Sequence, residues 1–205
     1  YTPLASSDEG IAQALSFYNV DGSALLAALR ALPAVGALAW NDSLGTAAEK
    51  HSAAMISLNE QSHQVKGEAD LASRVQTAGY TGYKALGENV YGYALTSKYA
   101  HAAFMVDWGE GVNGMQSPAG HRDNIMSATY TEVGIDISTE RNEKTKIGPN
   151  VVTEDFGSRG KFYITGVAFT DGDRNSFYTI GEGVQGLTVT SGNASVASSV
   201  SGGYS

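Results

Sequence analysis

The 205-residue chain contains no cysteine, which excludes a disulfide framework and, taken alone, fits a reducing compartment. It is poor in positive charge. Thirteen Lys and Arg stand against 21 Asp and Glu, for a formal charge of -8, and no run of basic residues forms the stripe that a phosphate backbone requires, so nucleic acid is excluded as a partner. No apolar run is long enough to cross a bilayer, and no transmembrane segment is expected. The chain opens on Tyr1 rather than methionine, with nothing resembling a signal peptide, the expected look of a mature or excised form. Its length suffices for one sizeable core and a small appendage.

The most informative stretch runs from Ser117 to Met126, Ser-Pro-Ala-Gly-His-Arg-Asp-Asn-Ile-Met. His121 and Arg122 follow a Pro/Gly turn directly, which places His121 at the entrance of an ordered element, where it can face a cleft. Upstream, His63 follows the polar end of a long amphipathic helix, and Glu88 sits inside Leu-Gly-Glu-Asn-Val. Two histidines and a carboxylate from three separate segments suit a divalent metal or proton transfer. Glu88 lies in an apolar, aromatic run, so it needs a partner, whether as an ion pair tying two layers together or as a site acid.

Helical spacing is read over 11–18, over 24–32 with Ser23 as cap, and over 44–58 after Asp42 or Ser43. In the last of these, His51 shares a stripe with Leu44, Ala47, Ala48, Met55 and Leu58 and is expected in the core. Short helices follow over 70–78 and, capped by Ser97, to Trp108. Alternation marks strands over 86–93, 131–138 and 151–156, with a charged hairpin-like connection over 139–146. The tyrosines at 80, 83, 91, 93 and 99 form either core or the wall of a groove.

From Leu15 to Gly157 the order of motifs resembles the CAP superfamily (cysteine-rich secretory proteins, antigen 5, pathogenesis-related 1) in a cysteine-free bacterial form. The resemblance rests on Ala39-Trp-Asn-Asp-Ser-Leu44, Ala48-Glu-Lys-His-Ser-Ala-Ala-Met55, His63, Arg74 with Gly79-Tyr80, Gly87-Glu-Asn89, Trp108, Ser117-Pro-Ala-Gly-His-Arg122, Glu132-Val-Gly134 and Val152-Thr-Glu-Asp-Phe-Gly157. It implies an α+β fold, an α-β-α sandwich, and a secreted or cell-surface location. It implies a structural role for Arg74 and a cleft tetrad of two histidines and two glutamates: His63, Glu88, His121 and Glu110, with Asp107 as the alternative for the fourth place. Gly109, Gly111 and Gly114 around Glu110 depart from the family's pattern.

The domain is expected over 11–158, after a lead-in over 1–10, and 159–205 is expected to add a small β-hairpin extension. There Asp171, Asp173 and Asn175 stand at positions 1, 3 and 5 of a loop, Phe177 supplies a carbonyl at 7 and Glu182 falls at 12, the spacing of a calcium site. Ser176 replaces the glycine usual at position 6, and an acidic hairpin turn is the alternative. The stretch resembles the opening of calcium-binding B-type adhesin repeats. Val196, Val200 and Tyr204 can add a further strand to a sheet that looks unfinished, which suggests self-assembly by strand addition. Three functions follow: an extracellular module binding a lipid, glycan or protein; a metal-dependent hydrolase with zinc on His63 and His121 and water activated by Glu88 or Glu110; or a structural subunit of an extracellular polymer.

Overall fold

The computed structural model describes residues 6–140 and 145–205; the lead-in before Ser6 and the middle of the charged connection after Glu140 lie outside the described residues. Its helices start where a short polar side chain can take the first free amides. Asp8 caps α1 (Glu9–Phe17), and Asp21 rather than Ser23 caps α2 (Gly22–Arg30), accepting from the Ala24 N–H at 2.9 Å. Asn41 accepts from both Ser43 and Leu44 and so begins α3 (Asp42–Leu58) one residue ahead of Asp42 and two ahead of Ser43, the expected caps. Asp70 caps α4 (Leu71–Thr77), and Thr96 caps α5 (Ser97–Val106). A 3-10 turn (Val112–Gly114) leads to the short α6 (Gly120–Ile125).

One mixed sheet of four strands lies between these helices. The strands are β1 (Ala39–Trp40), β2 (Ala85–Ala94), β3 (Glu132–Thr139) and β4 (Asn150–Ser158), in the order β1-β3-β4-β2. Only β1 and β3 run parallel. β4 is central and buried from Val151 to Ser158, because helices cover both of its faces. Its side chains alternate accordingly: Val151 packs with Met55 of α3, Val152 with Phe104 of α5, and Thr153 bonds Ser52 of α3 at 2.9 Å. This is the α+β sandwich expected from the sequence.

A second polar knot closes the end of the sheet. Glu132, 1% exposed, accepts from Asn41, from the Tyr80 hydroxyl and from Arg159, whose guanidinium lies 4.9 Å above the Tyr80 ring. Burial alone would raise the Glu132 pKa, but the Arg159 and Tyr80 hydrogen bonds hold it below its ordinary value.

Beyond Arg159 the chain forms small pieces of sheet. β5 (Gly166–Val167) pairs with β8 (Gly203–Tyr204), and β6 (Thr188–Ser191) with β7 (Ala194–Ala197). Of the hairpin extension expected over 159–205, the stretch 162–169 is strand at Gly166–Val167, and Phe162 is 98% exposed. Among the described residues, no apolar side chain after Phe156 is buried, and two-stranded sheets without such a core are marginal on their own.

Candidate functional site

The cleft is built where β2, the connection after α3, and the turn from α5 to α6 meet. Its cavity of about 750 Å³ is lined by His63, Glu88, Asn89, Gln116, Ser117, His121, Asp123 and Asn124, with Gly111, Pro118 and Gly120. Among the described residues, neither lysine nor arginine lines it.

His121 enters through the local chemistry of two helix ends. α5 stops because Asp107 adopts a left-handed conformation, φ 55°, which Asp tolerates better than most residues. The Asp107 carboxylate then does for α6 what Ala119, in the cap position, cannot. It accepts the His121 backbone N–H at 3.0 Å, and its other oxygen lies 2.7 Å from His121 Nδ1. Arg122 returns the favour by donating to the last carbonyls of α5, those of Met105 and Val106. Asp107 is fully buried, so the ring is fixed by an acid that solvent does not reach.

His63 is fixed by a different acid. Its Nδ1 lies 2.9 Å from Glu88 Oε1, and its side chain is 63% exposed while that of Glu88 is 3% exposed. The loop beneath is pinned through its backbone: Arg74 donates to the His63 carbonyl at 2.9 Å, and His51 Nε2 lies 2.9 Å from the Ser62 carbonyl. Arg74 also pairs with Glu88 Oε2, and the His51 Nδ1 pairs with Glu68 at 2.8 Å. Burial would raise the Glu88 pKa, yet the His63 hydrogen bond and the charges of His51 and Arg74 hold it below the ordinary value, so it stays ionised.

Three of the four tetrad residues therefore come together: His63, Glu88 and His121. Glu110 does not; it is exposed in the turn after Trp108 and lines no part of the cavity. Asp107, the alternative, occupies the position beside His121. His51 is in the core as its helical stripe predicts, but it is also bonded on both ring nitrogens. The sequence reading missed Glu68, Asn124, Glu154 and Asp155. Asn124 donates to Asn89, and Asn89 donates to Glu154 and to the His121 carbonyl, forming an amide floor to the cleft. The adjacent acids Glu154-Asp155 gave no local signal that both faces of β4 are covered, since charge on a strand ordinarily marks a wet face.

In the extension, Asp171, Asp173 and Glu182 bring ligand oxygens within 4.8 Å of one another. They form a surface acidic group able to hold a metal ion. Ser176 takes a left-handed conformation, φ 64°, where the calcium-loop pattern has glycine. The carboxylates accept amides of their own loop: Glu182 from Gly172 and Asp173, and Asp171 from Asn175 and Ser176. Phe177 is exposed, and its N–H donates to the Asn175 side chain at 2.6 Å.

Helices packed on a mixed four-stranded sheet define the class by fold. The chain belongs to the CAP family, the cysteine-rich secretory protein family, whose pattern matches residues 24–156. Among curated proteins none matches the sequence. Three solved structures are similar to it. An extracellular SCP-domain protein of Bacillus anthracis is 20% identical, over 77% of this chain and 45% of its own, with a TM-score of 0.47. An outer surface protein of Borrelia burgdorferi is 13% identical, over 76% of this chain and 96% of its own, with a TM-score of 0.46. A cysteine-rich secretory protein of Staphylococcus aureus is 16% identical, over 76% of this chain and 40% of its own, with a TM-score of 0.40. The chain thus spans less than half the length of the Bacillus and Staphylococcus proteins.

Proposed function

We propose that the chain is an extracellular or cell-surface binding module, with a CAP domain over 11–158 whose cleft takes its ligand through His63 and His121. The observation that carries this reading is that both imidazoles face one cavity and each is fixed at Nδ1 by a buried carboxylate. A neutral ring held in this way keeps its Nε2 lone pair for a ligand, the arrangement in which carboxylates orient metal-binding histidines.

The donor set separates binding from hydrolysis. The two Nε2 atoms suit zinc, and His63 and His121 would hold it, where it would polarise a bound oxygen. Among the described residues, however, no third histidine or carboxylate converges with them on one point. Glu88 is committed to His63 and Arg74, and Glu110 lies outside the cavity, so neither candidate acid is free to activate water. The residues fit an ion held by two protein ligands better than the three-ligand set of a hydrolytic centre. Titration with zinc alone by calorimetry tests this: His63→Ala and His121→Ala should each weaken binding at least about tenfold, the low end of losses seen even for residues behind the ligands. Full affinity in either variant would rule out the shared site.

The extension over 159–205 completes the proposal as a calcium-stiffened appendage, with Asp171, Asp173 and Glu182 as carboxylate ligands, Asn175 as an amide ligand and Phe177 as a carbonyl ligand. Support comes from the convergence of the three carboxylates and from the turn at Ser176. Binding to the folded form alone adds about 2.7 kcal/mol when calcium is present at a hundred times its Kd. EDTA should therefore lower the Tm of the intact protein, and Asp171→Ala should abolish that sensitivity. If chelation leaves the melt of the parent unchanged, the loop is an acidic turn and nothing more.

A further inference from the structure

In β1, strand alternation turns a tryptophan outward. Ala39 is 1% exposed and enters the core, so Trp40, the next residue, points to the other face and is 53% exposed. Exposed aromatic rings are ordinarily free to swing; this one is held at two points. Its Nε1 donates to Asp42 Oδ1 at 2.7 Å. Its benzenoid edge lies beside Gly45 of α3, where a Cβ would stand 3.2 Å from Trp40 Cζ2. With the N–H and that edge both committed, the flat face of the indole is what remains for a ligand, and a ring already fixed loses little freedom when it is covered.

Trp40 lines a groove of about 850 Å³ between the CAP domain and the extension, which shares no lining residue with the cleft of His63 and His121. The extension brings hydroxyl-bearing residues to it, Thr165, Ser199, Ser201 and Tyr204 among them. The Tyr204 hydroxyl lies over Gly166, where a Cβ would come within 2.3 Å of it. Asp42 is the charged side chain of the lining, and among the described residues neither lysine nor arginine reaches it.

This donor set selects a class of ligand. Phosphates and carboxylates only accept hydrogen bonds, and Asp42 would repel them in a protein whose formal charge is already -8. An ammonium ion only donates, so it could use the carboxylate and the ring but half of what each hydroxyl offers. A sugar hydroxyl donates and accepts, as the hydroxyls of Ser, Thr and Tyr do. The C–H side of a pyranose ring, weakly positive, also matches the negative face of an indole.

We propose that the groove is a second binding site of this protein, for a neutral oligosaccharide: one pyranose ring lies on the face of Trp40, its hydroxyls donate to Asp42 Oδ2, and the hydroxyl side chains of the extension take the ring that follows. Because the walls come from both parts of the chain, a bound sugar bridges the CAP domain and the extension. The site does not depend on what the cleft binds.

NMR of the full ¹⁵N-labelled chain supplies the test, since the two tryptophans each give one indole N–H signal and Trp108, 4% exposed, serves as the internal control. Trp40→Phe assigns the signal of Trp40 by removing it. The probes are cellotetraose, chitotetraose, maltotetraose and mannotetraose, each raised to tens of millimolar, with choline chloride as the cationic probe. At least one tetrasaccharide should shift the Trp40 signal saturably and leave that of Trp108 in place. Trp40→Ala and Asp42→Ala should each weaken that sugar about tenfold, the scale of a lost aromatic contact or hydrogen bond, and should melt close to the parent because both side chains are exposed. A Trp40 signal that no tetrasaccharide moves, a larger response to choline than to any sugar, or parent affinity in both variants would each overturn the proposal. Should Trp40→Ala not fold, the titrations of the parent and of Asp42→Ala decide.

Discussion

Arg74→Ala should cost the fold about 3–5 kcal/mol, the penalty for removing one partner of a buried ion pair and leaving the other uncompensated. The side chains of Arg74 and Glu88 are 6% and 3% exposed, so water cannot take over the lost partner's role. Arg74 also lies 3.5 Å from Glu68 and donates to the carbonyls of His63 and Ala69. Its loss therefore leaves two acids in a nearly dry pocket and frees the loop that carries His63. Urea unfolding of the parent, Arg74→Ala and the double variant Arg74→Ala/Glu88→Gln makes the charge term visible. The double variant should recover part of the loss, because it removes the stranded carboxylate along with its partner. A loss below about 1 kcal/mol, the size of an exposed pair, would mean that solvent reaches this cluster after all.

That cluster also marks the limit of what the sequence could tell. The sandwich was legible because its signals are local: stripes of small and apolar residues over α3, alternation over β2 and β3, and turn chemistry before α6. His63, Glu88 and His121 were legible through the resemblance, each in its own motif. The fourth position was not. Choosing between Asp107 and Glu110 depends on where α5 ends, and the glycine at 109 marks a stop without saying that the left-handed residue comes two positions earlier. Once Asp107 terminates the helix, its carboxylate is aimed at α6, and Glu110 is carried into the exposed turn. His51 illustrates a different limit. Periodicity placed it in the core, but its bond to Glu68 joins residues 17 apart across a polar loop that reads as solvated. Asp155 and Glu154 are the hardest case, since alternation assumes one wet face. The sequence of β4 contains nothing to say that helices cover both sides. The helix starts were misread by one or two residues for a simpler reason: Asp21, Asn41 and Thr96 each precede another good capping residue, and propensity alone does not choose between neighbours. In the extension, β-prone residues such as Phe162 and Ile164 lie outside the strands formed among the described residues.

Gly134→Ala should be the most damaging single-methyl change in the chain. A Cβ at Gly134 would stand 1.9 Å from the Gly45 nitrogen and 2.2 Å from the Leu44 carbonyl carbon. Both are backbone atoms of α3, so no side chain can swing aside. Relief requires lifting the helix off β3, and α3 is the element that carries Leu44, Ala47, His51, Ser52 and Met55 into the core. Overpacking ordinarily costs about 1–3 kcal/mol, and here the cost should reach or pass the top of that range because backbone meets backbone. The displacement also travels to the cleft: moving α3 pulls His51 from the Ser62 carbonyl and shifts the loop on which His63 sits. The comparison that isolates this effect is Gly36→Ala, where an added methyl meets nothing within 4 Å, and the change should stay within about 0.5 kcal/mol of the parent. Thermal melts and amide exchange on α3 read both variants. If Gly134→Ala melts with the parent and protects α3 equally well, the close approach of α3 to β3 is not the contact that sets this face of the sandwich. If it melts far below while Gly36→Ala does not, then the Gly134–Gly45 crossing fixes how deep α3 sits, and with it the position of His63.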